Sequence, residues 1–499
     1  MASNDLILGI DLGTQSTKVL VYDPERRQVV AIEQAPLSIV QHGDGTSEQD
    51  PAWWVEAFRS CMSRLDPQHL GRVGAIGVSG QQHGLVALGA RHDVLVRAKL
   101  WNDTSTAEEC ELITAAAGGQ ERLIREVGNP ILPGYTAPKL LWLKRHAPEA
   151  YARLAHVLLP HDYLNFYLTG ELSTEFGDAS GTAFFDVRKR SWSPLVLSAI
   201  DPDRDLSACL PRLIGPSDPI GQLRPELADE LRLPRTALVC AGGGDNMMAA
   251  IGTGCVTPGV FTVSLGTSGT VYAYSDQPVV DPQGIVAAFC SSTGGWLPLA
   301  CTMNCTVATE LVRQVFKLPV EELDGLGALA PEGSDGLITL PFYSGERTPN
   351  LPHGRGCVLG LTPQTFRRTH LVRSAMEGAV FALRYGLGAF EKLGAAPAEI
   401  RLTGGGSRSR IFRQLAADIF GCPVNCPKVT ESAAFGAALQ ALWMLEGQRQ
   451  RLRSIAELVS EHVESDDQAL SPNPANQETY TAVYGQYLRY LELLRPEFV

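Results

Sequence analysis

The 499-residue sequence predicts an α/β protein of two duplicated halves, and three observations carry that expectation. First, residues 6–10 and 19–22 have the length and β-branched content of short strands, and a polar, glycine-bearing turn lies between them. Second, the same hairpin returns at 260–274. Aligning the two Leu-Gly-Thr triplets sets Leu12 on Leu265, Gly13 on Gly266, Thr14 on Thr267 and Thr17 on Thr270, but Asp11 on Ser264 and Lys18 on Val271. Third, an apolar run leads into a glycine triplet in each half, at 239–246 and at 400–409.

Composition narrows the function. Apolar content of 44% and charge of 19% are those of an ordinary globular protein with room for two or three cores. A net charge of −12 without any basic block argues against a nucleic-acid or anionic-membrane partner. The opening Met-Ala-Ser-Asn-Asp lacks the basic and apolar regions of a secretory signal, and no apolar run approaches the roughly 18 residues of a membrane span. A cytoplasmic protein is therefore expected. The 11 cysteines are odd in number and scattered, without zinc-type spacing, so reduced core thiols are expected.

The first hairpin suggests chemistry. A turn with Asp11, Gly13, Thr14, Ser16, Thr17 and Lys18 can aim N–H groups, hydroxyls and one ammonium at a phosphate chain. The Asp11 carboxylate would repel a bare anion and makes sense beside Mg²⁺. On local residues alone, an ordinary hairpin with a solvated tip competes with this reading. The second copy adds weight, because two hairpins from two halves could clasp one polyphosphate, with metal and charge supplied by the first.

Along the chain, 28–37 supplies a third strand and 42–50 a loop. Asp50 and Pro51 suit the N-cap and first position of a helix. Residues 73–78 form a buried strand ending in a polar stretch, 79–84, and ligands of α/β sheets bind just past the carboxyl ends of strands. Gln82 and His83 are thus candidates for holding a polyhydroxy ligand, with a satisfied structural histidine as the alternative. Residues 105–200 read mainly helical, at 105–117, 139–146, 148–154 and 163–168, with a strand at 182–187. The three glycines before Asp245 let the backbone approach a bound group. Asp245 is then a candidate base or metal ligand, and a plain helix cap is the competing reading. The second half adds a strand at 337–342, a charged turn at 343–349 and a long helix at about 366–393. Helices at 411–420, 432–445 and 479–494 and a strand at 423–427 complete it. The glycine loop at 404–406 suits a nucleotide, although it has neither a Walker lysine nor a G-x-G-x-x-G run.

Taken together, these motifs resemble the FGGY carbohydrate kinase family over nearly the whole chain, least distinctly at 455–475. Gly-Tyr-Thr-Ala-Pro-Lys at 134–139 fits the family's first signature; Gly-Cys-Val-Leu-Gly-Leu at 356–361, with 370–377, fits its second. Gln-His-Gly at 82–84, Trp-Asn-Asp at 101–103, Gly-Gly-Gly-Asp-Asn at 242–246 and Ser-Gly-Glu-Arg-Thr-Pro at 344–349 look like a branch that phosphorylates pentuloses. The resemblance implies an actin-like ATPase (ribonuclease H-like) α/β fold, two duplicated domains around a central cleft. These would be 1–250, with the sugar site and base, and 251–499, with the nucleotide site. It implies ATP and Mg²⁺ and a small sugar as partner with no nucleic acid or membrane, and it leaves a homodimer open as the assembly. By resemblance, Asp245 would take the proton from the sugar hydroxyl, while Gln82, His83, Trp101, Asp245 and Asn246 hold the sugar. Thr14, Gln15, Ser16 and Lys18 would meet the terminal phosphates, joined by Gly266 and Thr267. Gly405, Gly406 and Ser409 would lie against the adenosine, and Asp11 and Asp245 would flank Mg²⁺.

Overall fold

A computed structural model describes residues 5–498, so the leading Met-Ala-Ser-Asn lies outside the described residues. The chain divides into two compact units. The first unit comprises Met1–Val256, Ser275–Pro298 and Glu431–Val463; the second comprises Thr257–Tyr274, Leu299–Thr430 and Glu464–Val499. Each compact unit is therefore discontinuous in sequence. Two later segments return to the first unit, and the second of them supplies a helix on which its sheet depends.

In the first unit the strands Leu6–Leu12, Ser16–Asp23 and Gln28–Pro36 form an antiparallel meander. Val73–Gly80 then pairs parallel to Leu6–Leu12, and Leu238–Cys240 and Gly243–Gly244 pair parallel to Val73–Gly80. Strand alternation explains the two faces. Leu8, Ile10, Ile76 and Val78 share a core with Trp54 and Phe58 of the helix Pro51–Arg64. Asp50 caps that helix as expected, accepting from the Ala52 N–H. The residues between them, Gly9 and Gly77, face the helix Ser432–Gln448. A Cβ on either would stand 2.0 Å from a carbonyl oxygen of that helix, at Ala434 or Ala437. The same helix crosses Asp245–Thr253 just as closely, because a Cβ on Gly436 would stand 1.7 Å from the Met248 carbonyl oxygen. The small residues of this helix thus let it lie against both the sheet and its neighbour.

The second unit repeats the plan. Val260–Leu265, Gly269–Ala273 and Leu299–Thr302 form the antiparallel meander, followed by Glu399–Thr403 and Val424–Asn425 in parallel. Both sheets share the order third, second, first, fourth, fifth strand, which realises the predicted duplication.

Several expectations need correction. The hairpin strands run further than 6–10 and 19–22, so Asp11 and Lys18 are a cross-strand pair and not turn residues. The two hairpins also close differently. Leu12 faces Thr17, whereas Leu265 faces Gly269, so the first loop holds one residue more. The residue facing Ser264 is consequently Thr270, not Val271. The strand expected at 182–187 is a 3₁₀ turn, Ser180–Thr182, followed by a two-residue strand, Phe185–Asp186. The helices Gln120–Val127, Pro194–Ile200, Pro225–Leu231 and Ile455–His462 were not expected. No helix among the described residues is long and apolar enough to cross a membrane. None of the 11 cysteines is in a disulfide, and burial pushes thiols such as Cys240 up to about 12.

Candidate active site

The carboxyl ends of the first unit's parallel strands gather most of the candidate residues. Val73–Gly80 is buried throughout and delivers Gln81, Gln82 and His83, all buried, at its end. His83 takes a left-handed backbone (φ 66°), and its carbonyl accepts from the buried Lys139 ammonium at 2.7 Å and from Thr136 Oγ1 at 3.2 Å. That turn aims its ring at Tyr135 and Phe289, with ring centroids 4.8 and 5.7 Å away.

Next to it, Gly244 ends the glycine run and Asp245 opens the helix Asp245–Thr253. Asp245 does not serve as the N-cap; Gly244 holds that position without a side-chain bond. Asp245 Oδ1 accepts from the Asn246 N–H at 2.8 Å, and Asn246 Nδ2 donates to Gln82 Oε1 at 2.9 Å. The sugar candidates Gln82 and Asn246 are therefore joined directly. Burial, then the charges of Asp11 and Asp178, push the Asp245 carboxyl up to about 7. The Asp11 carboxyl is also raised, chiefly by burial; Lys18 and the Ser79 hydroxyl, which donates to it at 2.9 Å, oppose the shift.

The hairpin tip is built into this site by a polar relay. Thr14 Oγ1 donates to Gln81 Oε1 at 3.0 Å and accepts from the Trp101 indole N–H at 2.9 Å. Gln81 Nε2 donates to Gln49 Oε1, which also accepts from Trp54 Nε1. Thr14 and Trp101 were assigned separately, to phosphate and to sugar; the structure ties them to each other. Gln15 is exposed and Ser16 half-buried. The Lys18 ammonium is paired with the Glu431 carboxylate. In the Trp-Asn-Asp motif, Asp103 is structural: it accepts from the Ser47 N–H, Lys99 Nζ and Ser105.

The second-unit candidates form their own group. Gly404 has φ 80°, and a Cβ there would stand 2.7 Å from the Leu265 carbonyl carbon, so the glycine loop lies against the loop end of the second hairpin. The Gly266 carbonyl accepts from the Thr306 N–H and hydroxyl, and the Thr267 carbonyl accepts from the Cys305 N–H. These acceptor oxygens are thereby satisfied within the unit. Gly406 packs on Leu265, whereas the side of Gly405 where a Cβ would stand is open. The loop does not start the helix directly: a 3₁₀ turn, Gly405–Arg408, comes first. Ser409 caps Arg410–Phe420 and donates to Asp324 Oδ1 at 2.5 Å.

Sequence reasoning missed three residues. Gln81 is the centre of the relay. Glu431, just before the small-residue helix, holds Lys18. Asp178 lies in the Phe-Gly-Asp-Ala-Ser-Gly-Thr stretch at 176–182, whose run of small residues was the available signal. Asp178 Oδ2 meets His161 Nδ1 at 2.6 Å, and its own carboxyl is raised by burial. Among the described residues no group of three or more His, Cys, Asp or Glu is placed to hold a metal ion.

Partly buried carboxylates beside side-chain amides, with a glycine-bearing hairpin duplicated on a repeated α/β plan, suit phosphoryl transfer to an alcohol. Comparison with known proteins agrees. Residues 6–252 match the N-terminal domain, and residues 261–445 the C-terminal domain, of the FGGY family of carbohydrate kinases. The chain belongs to that family and is a carbohydrate kinase, a phosphotransferase with an alcohol group as acceptor. It is 40% identical to the xylulose kinase of Haemophilus influenzae over 98% of this chain and 100% of that one. Among solved structures, a kinase from Brucella ovis, described as a xyloylose kinase, is 33% identical, with a TM-score of 0.91 over 98% of this chain and 99% of that one. A gluconate kinase from Lactobacillus acidophilus also gives a TM-score of 0.91, at 25% identity and 99% coverage of both chains.

Proposed function

We propose that this kinase phosphorylates D-xylulose at its terminal hydroxyl, giving D-xylulose 5-phosphate, by in-line transfer from ATP with Asp245 as the base. The observation that carries the reading is the Asp245–Asn246–Gln82 junction at the carboxyl ends of the parallel strands, where a half-buried carboxyl with a raised pKa stands beside two side-chain amides. Kinship with kinases of xylulose supports this choice of sugar.

In phosphoryl transfer, positioning and charge neutralisation dominate. Gln82, His83 and Asn246 hold the sugar, and Asp245 accepts the hydroxyl proton as the new P–O bond forms. Thr14 and Trp101 brace the hairpin through their shared hydrogen bond. Lys18 leaves Glu431 to meet the terminal phosphate. In the second unit, Gly266 and Thr267 take the phosphates, and Gly405, Gly406 and Ser409 the adenosine. Mg²⁺ brought with ATP as part of the substrate would offset charge on the transferring group. Asp11 and Asp245 supply the one or two carboxylates such an ion uses besides phosphate.

A coupled ADP-release assay with D-xylulose, D-ribulose, gluconate and glycerol tests the reading. D-Xylulose should give the highest kcat/KM. Higher turnover of another acceptor replaces the substrate, and ATP turnover indifferent to sugar removes the kinase mechanism. Asp245→Ala should lower kcat by at least roughly 10²–10⁴-fold while melting and ATP binding stay near wild type; near-normal turnover would sink the base assignment.

A further inference from the structure

The Asp178 carboxylate has one oxygen fully engaged and the other not. Oδ2 meets His161 Nδ1 at 2.6 Å, while Oδ1, fully buried, has no hydrogen-bond partner among the described residues. A buried, unpartnered carboxylate oxygen is costly and asks for a donor. Gln82 Nε2 is likewise buried without a partner among the described residues. The two groups converge on Gly244: a Cβ there would stand 3.0 Å from Asp178 Oδ1 and 2.7 Å from Gln82 Cγ. Asp178 therefore sits one residue from Asp245, on the same side as the amide assigned to the sugar.

The geometry around it is rigid. Glu175 accepts from the Gly177 and Asp178 N–H groups at 2.7 and 2.6 Å, fixing the backbone that carries Asp178. His161 is clamped between two carboxylates, with Nε2 3.0 Å from Asp162 Oδ1. Its backbone is wedged against Gly80, where a Cβ would stand 2.7 Å from the His161 backbone nitrogen. A histidine facing carboxylates with both ring nitrogens is an imidazolium. Burial works against that charge, but Asp162 and Asp178 outweigh it and hold the pKa well above the usual value. Burial raises the Asp178 carboxyl and the neighbouring His161 opposes that shift; an ionised acceptor makes the stronger hydrogen bond to a hydroxyl.

We propose that Asp178, oriented by His161, is a further substrate-binding residue whose Oδ1 accepts a hydrogen bond from a hydroxyl of the sugar. This rests on the sugar-kinase reading of the site and adds to it a fixed, charged acceptor that selects for an O–H at one carbon. His161 acts as a positioning residue.

The test is steady-state kinetics with D-xylulose and its 1-, 3- and 4-deoxy analogues. Wild-type protein is compared with Asp178→Asn and His161→Gln. Wild type should disfavour one analogue by about 10- to 100-fold in kcat/KM, the worth of a charged hydrogen bond. Asp178→Asn should raise the sugar KM by a similar factor, leave the ATP KM unchanged and disfavour that analogue by less than about threefold. His161→Gln should lose part of the same discrimination. A purely structural role would change kcat or melting without erasing selectivity for one hydroxyl. Discrimination retained in full by Asp178→Asn, or an unchanged sugar KM, overturns the proposal. If that variant does not fold, Gly244→Ala reads the same contact, and wild-type selectivity in it overturns the proposal equally. If D-xylulose is inert while D-ribulose, gluconate or glycerol is consumed, the substrate reading falls alone, and the comparison is made on that acceptor with its own deoxy analogues. Turnover of none of them overturns both.

Discussion

At Asp245 the protein places a negative charge where charge is disfavoured. Burial and the neighbouring Asp11 and Asp178 raise its carboxyl to about 7 from an ordinary value of 3.8. A base works only when deprotonated, so kcat/KM for the sugar should rise about tenfold per pH unit below about 7 and level off above it. A pH–rate profile flat between pH 5 and 7 would contradict this. The same shift bears on stability. A raised carboxyl favours the fold fully below pH 3.8, and that contribution is lost as pH rises through about 7. Asp245→Asn should therefore be more stable than wild type at pH 8, by about 2 kcal/mol, and by less at pH 5; the full shift is discounted because the side chain keeps some contact with solvent. Urea melts at the two pH values measure the difference. Asp245 was legible through its glycine run, but Asp178 was not, because a buried carboxylate in a small-residue stretch looks like any helix-capping aspartate until its neighbours are placed.

Among the elements, the hairpin Leu6–Asp23 and the helix Ser432–Gln448 decide most. The ion pair joining them, Lys18 with Glu431, holds back the one ammonium assigned to phosphate. Both side chains are partly exposed, so the pair is worth about 1 kcal/mol or less. Glu431→Gln should then lower the ATP KM by about two- to fivefold; a raised KM would mean that Glu431 orients Lys18 instead of restraining it. Steric fit makes a firmer demand at Gly9, where any side chain meets the Ala434 carbonyl. Gly9→Ala should cost about 3 kcal/mol, visible as an earlier urea midpoint, and an unchanged midpoint would refute the packing argument. Hairpins and glycine runs were legible because strand length, alternation and turn residues are local properties. The register of each hairpin was not. Alignment of letters matched Lys18 to Val271, yet hydrogen-bond pairing, which depends on how many residues close each loop, matches it to Thr270.

On the scale of the whole molecule, two sheets of one strand order make the duplication plain. What sequence could not locate was the home of the helix Ser432–Gln448. Its small residues announced tight packing but carried no address, since Ala and Gly fit any close surface. The structure sends it back across nearly two hundred residues to the first sheet. A chain ending at residue 430 should accordingly fail to give a soluble first unit, because Gly9, Gly77 and Met248 would lose their cover; sedimentation of that truncated protein checks it, and a soluble, cooperatively melting product would show that the helix is dispensable.

This arrangement also sets a timetable for synthesis. The first unit's strands leave the ribosome early, but the helix that completes their packing emerges only after the second unit's sheet has been made. At roughly 5–20 residues per second the interval between residues 253 and 448 lasts about 10–40 s. For that time an apolar sheet face remains uncovered on the nascent chain, so the half made first stays unfinished until most of the chain has been synthesised.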